Sequence, residues 1–197
     1  MNLPNKLTVM RIIMIPFMMF FYLANFIPYG IGKIVALVLF VVAALTDFLD
    51  GKIARKYNLV TNLGKFLDPI ADKMLTSAVL FMIIADGTIM NPWGAIIVTI
   101  IISREFMVSA LRLLAASKGV VLAADIWGKA KTMVQMIALP ICMLFAFILT
   151  CGFSVAGWLV ITFEVLSYVS LGIATLLTVI SGANYLIKNK ECFKDSK

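Results

Sequence analysis

The sequence predicts an all-α, polytopic membrane protein with six transmembrane helices, and three observations carry that reading. Hydrophobic residues make up 62% of the 197 and charged residues only 14%, at a mean hydropathy of +1.05, well outside soluble-domain usage. A bilayer core of roughly 30 Å needs about 20 mostly apolar residues per helix, and such runs lie near 12–27, 33–56, 63–85, 93–117, 130–150 and 157–187. The interruptions are short and punctuated, as at Pro28-Tyr29-Gly30, Asp86-Gly87 and Asn91-Pro92, which leaves one compact domain over 1–197 and no long linker. No internal repeat stands out, and the N-terminus lacks the cleavage pattern of a signal peptide, so the first apolar run is expected to stay.

Basic residues set the expected orientation. Lys6 and Arg11 precede the first helix; Lys52, Arg55, Lys56 and Lys65 surround the second connection; Arg112, Lys118, Lys129 and Lys131 surround the fourth; Lys188, Lys190, Lys194 and Lys197 form the tail. The other connections carry only Lys33. Positive charge inside then puts both termini and the even-numbered connections in the cytoplasm of a cell-membrane protein. The net charge of +7 is mainly topological, though it also suits anionic headgroups or an anionic substrate. No nucleic-acid module is visible. Cys142, Cys151 and Cys192 are scattered without zinc or redox spacing. The absence of histidine leaves acid–base work to carboxylates.

Taken in order, Met1 to Arg11 is a polar lead whose Leu3, Leu7 and Met10 fit one face of a short interfacial helix. Asn5 and Thr8 bring hydrogen-bonding groups to the inner end of the first span. The second helix enters near Lys33, so Asp47 lies roughly 21 Å along it and Asp50 roughly 25 Å. The third leaves near Asp86, which puts Asp72 at roughly 21 Å and Asp68 at roughly 27 Å from the same outer level. The two acid pairs are therefore level, and antiparallel neighbours about 8–10 Å apart leave a gap that facing carboxylates and a metal can fill.

An ionisable group inside a membrane is costly, and four together call for a compensating ligand. Asp47, Asp50, Gly51 and Ala54 share one helical stripe, whose small residues leave room for a flat group below the acids. A plain small-residue helix contact is the competing reading. Asp68 and Asp72 share a face with Pro69 between them, where proline either kinks the helix or starts it with Asp68 as N-cap. Oxygen ligands without thiolate or imidazole favour Mg²⁺, Mn²⁺ or Ca²⁺, and two such ions about 3.5–4 Å apart would clamp a diphosphate. The rival is a set of ion pairs with Lys52, Arg55, Lys65 and Lys73.

Asp47-x-x-Asp50-Gly51-x-x-Ala54-Arg55, then eight residues, then Gly64-x-x-x-Asp68-x-x-x-Asp72 resembles without departure the signature of the CDP-alcohol phosphatidyltransferases. Asn2-Leu3-Pro4-Asn5-Lys6-Leu7-Thr8 with Arg11, Ser103-Arg104-Glu105, and Gly128-Lys129-Ala130-Lys131-Thr132 with Gln135 look like that family's phosphatidylglycerolphosphate synthase branch. The resemblance implies six helices, a homodimer, and transfer of the phosphatidyl group of CDP-diacylglycerol to an alcohol with release of CMP. By position it implies that Asp47, Asp50, Asp68 and Asp72 hold Mg²⁺ or Mn²⁺, two ions, with Asp72 also the general base. It further implies that Gly51, Ala54 and Arg55 meet the CDP moiety, joined by Asn5, Thr8 and Thr61.

The fourth and fifth helices bear on the acceptor. Arg104 lies roughly 18 Å in from Pro92, level with Asp47 and Asp72. Glu105 is its neighbour in sequence and points elsewhere, which argues against a simple pair. Arg112, Lys129 and Lys131 would ring the same mouth, and guanidinium forks match phosphate oxygens, so the expected acceptor is glycerol 3-phosphate. Ordinary flanking charge is the bland alternative for Arg112, Lys129 and Lys131. Three other functions compete: the same chemistry with inositol phosphate or serine, an intramembrane prenyltransferase, and a cation-coupled transporter, the last disfavoured by acids displaced from the midplane. Glu164, in the last helix, has no explanation.

Overall fold

The computed structural model describes residues 3–24, 26–56, 62–87, 93–117, 126–152 and 154–188, and the side-chain surroundings of these except at 3–4, 48–56, 62–63, 65–66, 113–114 and 116–117. Six long helices make up this part: α1 (Leu3–Leu23), α2 (Ile31–Lys56), α3 (Asn62–Ala85), α4 (Trp93–Ser117), α5 (Ile126–Thr150) and α6 (Gly157–Lys188), with a 3-10 turn at Pro28–Gly30. Among the described residues five stretches are long and apolar enough to cross a membrane, 5–23, 28–47, 93–112, 126–150 and 157–188. The protein is a polytopic, all-helical membrane protein. The helix outside that set, α3, carries Lys65, Asp68, Asp72 and Lys73 in its first three turns, and charge rather than length sets it apart.

Helix boundaries follow the apolar runs except at the starts of the first and fifth helices. The polar lead does not form a separate interfacial helix: α1 is continuous from Leu3, and no breaker separates Arg11 from Ile12. Asn5, Thr8 and Arg11 recur every third residue on one face and are buried, because that face looks into the bundle at the acids of α2 and α3. The fifth helix likewise begins at Ile126, a turn before the apolar run.

The packing order differs from the chain order. Among the described residues α1 packs along both α2 and α3, which touch each other only slightly, while α5 packs on α2, α3 and α6, and α6 covers α4. Sequence neighbours α2 and α3 are thus bridged by α1 over that part, where direct facing was expected. The crossing of α1 and α2 requires a glycine, since a Cβ on Gly32 would lie 2.2 Å from the Phe21 carbonyl oxygen. The core between them holds Met18, Tyr22, Phe40, Leu75, Val79, Met82, Leu139 and Met143, and burying such side chains contributes about 1.5–3 kcal/mol each against water.

At one end of the bundle Lys33, at the start of α2, bonds Asp86, just past α3, with Nζ to Oδ1 at 2.8 Å and to Oδ2 at 2.9 Å. Lys33 also donates to the Ala146 carbonyl at 3.4 Å and lies 5.5 Å from the Tyr22 ring centre. The pair ties the two helices at one level, so equal counts of 14 residues, Lys33 to Asp47 and Asp86 to Asp72, reach equal depth. Helical rise then carries Asp47 and Asp72 to one level at the far end.

Candidate active site

Three helices bring the first group of side chains together. From α1, Arg11 is 0% exposed and its Nη1 donates to Asp47 Oδ1 of α2 at 2.5 Å. One turn earlier on the same face, Thr8 Oγ1 donates to Asp68 Oδ1 of α3 at 2.7 Å. Asn5, one turn before that, is buried in line with them. The charges of Asp47, Glu105, Arg11 and Lys73 all reach Asp72, which places it in the same electrostatic neighbourhood. The helix runs on through Pro69, so Asp68 is not its N-cap.

The second group surrounds a cavity of about 780 Å³ between α3, α4 and α5. Its wall includes Asp72, Arg104, Arg112, Lys129 and Lys131: the expected base and all four cations expected to hold the acceptor. Arg104 does not pair with Glu105; its Nη2 donates to Ser181 Oγ of α6. A Cβ on Gly182 would stand 3.1 Å from Arg104 Cγ, so the glycine leaves room for the arginine stem. Arg104 Nε is buried without a hydrogen-bond partner among the described residues. Glu105 instead forms an ion pair with Lys131. Lys131 is therefore not an uncommitted cation: Glu105 points away from its neighbour Arg104 on α4 and toward α5. Arg112 is exposed and lies 5.7 Å from the Tyr185 ring centre, and Lys129 is exposed.

The remaining expectations divide by what is described. Asp50, Gly51, Ala54 and Arg55 lie within α2 but their side chains fall outside the described residues, as does Thr61 entirely; the small-residue stripe falls there too. Among the described residues no three acidic, cysteine or histidine side chains come close enough to hold a metal ion. The donors that are described suit a hard cation: Arg11 and Thr8 each engage an Oδ1, leaving a second oxygen on Asp47 and on Asp68, and among the described residues nothing bonds the Asp72 carboxylate. Arg11 was quoted in the resemblance but given no role in the site, and Ser181, Gly182 and the Glu105–Lys131 pair were not singled out from sequence. For Arg11 a signal existed, the three-residue spacing with Asn5 and Thr8; for the α6 residues none did. Cys142 and Cys151 are free and buried, as packing residues would be.

The fold and the site define a helical membrane protein that gathers carboxylates and cations at one end of its bundle around a cavity. Residues 1–180 match the CDP-alcohol phosphatidyltransferase family, and the chain belongs to it. The chain is 40% identical to the CDP-diacylglycerol–glycerol-3-phosphate 3-phosphatidyltransferase of Bacillus subtilis, over 99% of this chain and 98% of that protein. It is 39% identical to the enzyme of the same name from Rickettsia felis, over 98% and 97%. The probable phosphatidylglycerophosphate synthase of Mycobacterium tuberculosis is 37% identical, over 95% and 81%. The family is in general dependent on a divalent metal.

Proposed function

We propose that the protein transfers the phosphatidyl group of CDP-diacylglycerol to glycerol 3-phosphate, giving phosphatidylglycerol phosphate and CMP. The observation that carries this reading is the shared cavity, in which Asp72 faces the same space as Arg104, Arg112, Lys129 and Lys131. Lys131 is paired with Glu105, but Arg104, Arg112 and Lys129 remain, and a neutral alcohol has no use for them, whereas a phosphate monoester carries close to two negative charges. The names of the near-full-length relatives agree with that acceptor.

In this reading Asp72 accepts the proton of the acceptor's hydroxyl as its oxygen attacks the phosphorus bearing diacylglycerol. The new P–O bond forms as the bond to the bridging oxygen of the diphosphate breaks, and CMP leaves with that oxygen. Arg104 and the neighbouring cations orient the acceptor by its phosphate, converting an encounter in solution into a held geometry. Arg11 holds Asp47, and Thr8 holds Asp68, in fixed rotamers beside the diphosphate. Asp47, Asp50, Asp68 and Asp72 would hold Mg²⁺ or Mn²⁺, two ions, which when bound neutralise charge developing on the diphosphate. Asn5, Thr8, Gly51, Ala54, Arg55 and Thr61 would line the CDP moiety. The whole chain acts as one membrane domain, as a homodimer, with this end of the bundle toward the cytoplasm of the cell membrane.

The test is CMP release by purified protein in detergent with Mg²⁺, CDP-diacylglycerol and a panel of acceptors. Turnover with glycerol 3-phosphate is expected. Release with inositol phosphate or serine and none with glycerol 3-phosphate would reassign the acceptor, and release with no acceptor of the panel would remove the activity.

A further inference from the structure

One side chain in the cavity wall has chemistry that the roles above leave unused. Gln135, on α5 one turn beyond Lys131, is 2% exposed and lines the same space as Asp72 and Arg104. Both polar atoms of its amide, Nε2 and Oε1, are shielded from solvent and have no hydrogen-bond partner among the described residues. A buried amide that satisfies neither end is costly and calls for a missing partner. That partner must offer a donor and an acceptor together, since a carboxamide presents one of each side by side. A fully ionised phosphate is not that partner, because Oε1 would face its oxygens, and the cations nearby hold it better.

We propose that Gln135 reads the acceptor's pair of adjacent hydroxyls, Oε1 accepting from the secondary hydroxyl and Nε2 donating to the oxygen of the primary, attacking one, whose own proton stays available to Asp72. The inference rests on the acceptor being glycerol 3-phosphate, whose two neighbouring hydroxyls lie at the end away from the phosphate. With the phosphate among Arg104, Arg112 and Lys129 and the hydroxyls on Gln135, the molecule is gripped at both ends. The attacking hydroxyl is thereby aimed toward Asp72. Gln135 is then a specificity-determining residue: an alcohol phosphate lacking one hydroxyl leaves half of the buried amide unpaired.

The experiment measures CMP release by the full chain with Mg²⁺ and CDP-diacylglycerol, using glycerol 3-phosphate or 3-hydroxypropyl phosphate, which lacks the secondary hydroxyl. The wild type is expected to favour glycerol 3-phosphate by roughly ten- to a hundredfold in kcat/KM. In Gln135→Met, of similar length and without hydrogen-bonding groups, the KM for glycerol 3-phosphate should rise about tenfold or more while that for CDP-diacylglycerol stays put, and the preference should fall to about twofold or less. A role confined to packing predicts the opposite, since removing two unpartnered polar atoms leaves stability and both constants unchanged or improved. Wild-type enzyme that uses the two acceptors equally would overturn the proposal without reference to any variant. So would a Gln135→Met enzyme that keeps the wild-type preference. Failure of the wild type on both acceptors would instead remove the function on which the inference stands.

Discussion

The two ends of the helical bundle hold buried charge in opposite ways. At one end Lys33 meets Asp86 with both carboxylate oxygens engaged, and the Ala146 carbonyl accepts from the same ammonium. Charges there are matched one to one, and the space beside them is small, about 220 Å³. At the other end Arg11 meets Asp47, but Asp72 has no bonded partner among the described residues, Arg104 Nε and the Gln135 amide have none either, and the cavity is several times larger. A satisfied buried pair is structure; groups held in place without partners are prepared for a ligand. The same residue types therefore mean different things at the two ends, and accounting for partners tells which.

That contrast is open to direct attack at its strongest point. Asp72→Asn keeps the shape of the side chain and removes the base, so CMP release with glycerol 3-phosphate should fall by about 10²–10⁴-fold. Thermal unfolding in detergent should not move downward, because the wild-type carboxylate has no described partner to lose. A large drop in melting temperature would mean that Asp72 is a structural acid like Asp86. Next in size is Arg104: Arg104→Ala should lose roughly a hundredfold in kcat/KM for glycerol 3-phosphate, chiefly through KM. Arg104→Lys should recover only part, since an ammonium cannot reproduce the fork. Equal losses for CDP-diacylglycerol would move Arg104 to the donor side.

Most of the fold was legible because hydropathy and short punctuated connections leave few ways to build it, and helices α2 to α6 begin and end close to the apolar runs. The apolar run starts the first helix only near residue 12, because Asn5, Thr8 and Arg11 interrupt it; that Thr8 and Arg11 reach acids on α3 and α2 from a continuous helix is visible only in the packing. The depth of the acids was legible, since rise per residue is fixed and both counts start from Lys33 and Asp86, which the structure joins. What sequence spacing could not reveal is which helix lies between which. It therefore missed the placement of α1 against both acid-bearing helices and the turn of Glu105 toward Lys131. Ser181 and Gly182 were invisible for a plainer reason: a serine and a glycine in an apolar helix carry no signal until an arginine from another helix rests on them.

A smaller effect probes that resting contact. Gly182→Ala puts a methyl group 3.1 Å from Arg104 Cγ, so the stem must shift by a few tenths of an ångström. A displacement of that size at a phosphate-orienting residue should raise the KM for glycerol 3-phosphate by roughly three- to tenfold, with the KM for CDP-diacylglycerol and the fold intact. An unchanged KM would show that the arginine is free to move and that α6 does not position it.

The smallest expected effect on catalysis is the one that tests the matched end. Lys33→Met leaves the Asp86 carboxylate without its cation, and breaking a buried pair in this way costs about 3–5 kcal/mol, read as a lower melting temperature. Lys33→Met combined with Asp86→Leu removes both charges and should recover most of that loss, since an apolar pair of similar volume carries no desolvation penalty. Turnover per folded molecule should stay within about twofold of wild type in the double variant, because the pair lies roughly 21 Å along the helices from Asp47 and Asp72. A double variant that folds yet loses activity would break the comparison, for then the pair would be setting the register that keeps the acids level, and the closed end would be part of the site it was contrasted with.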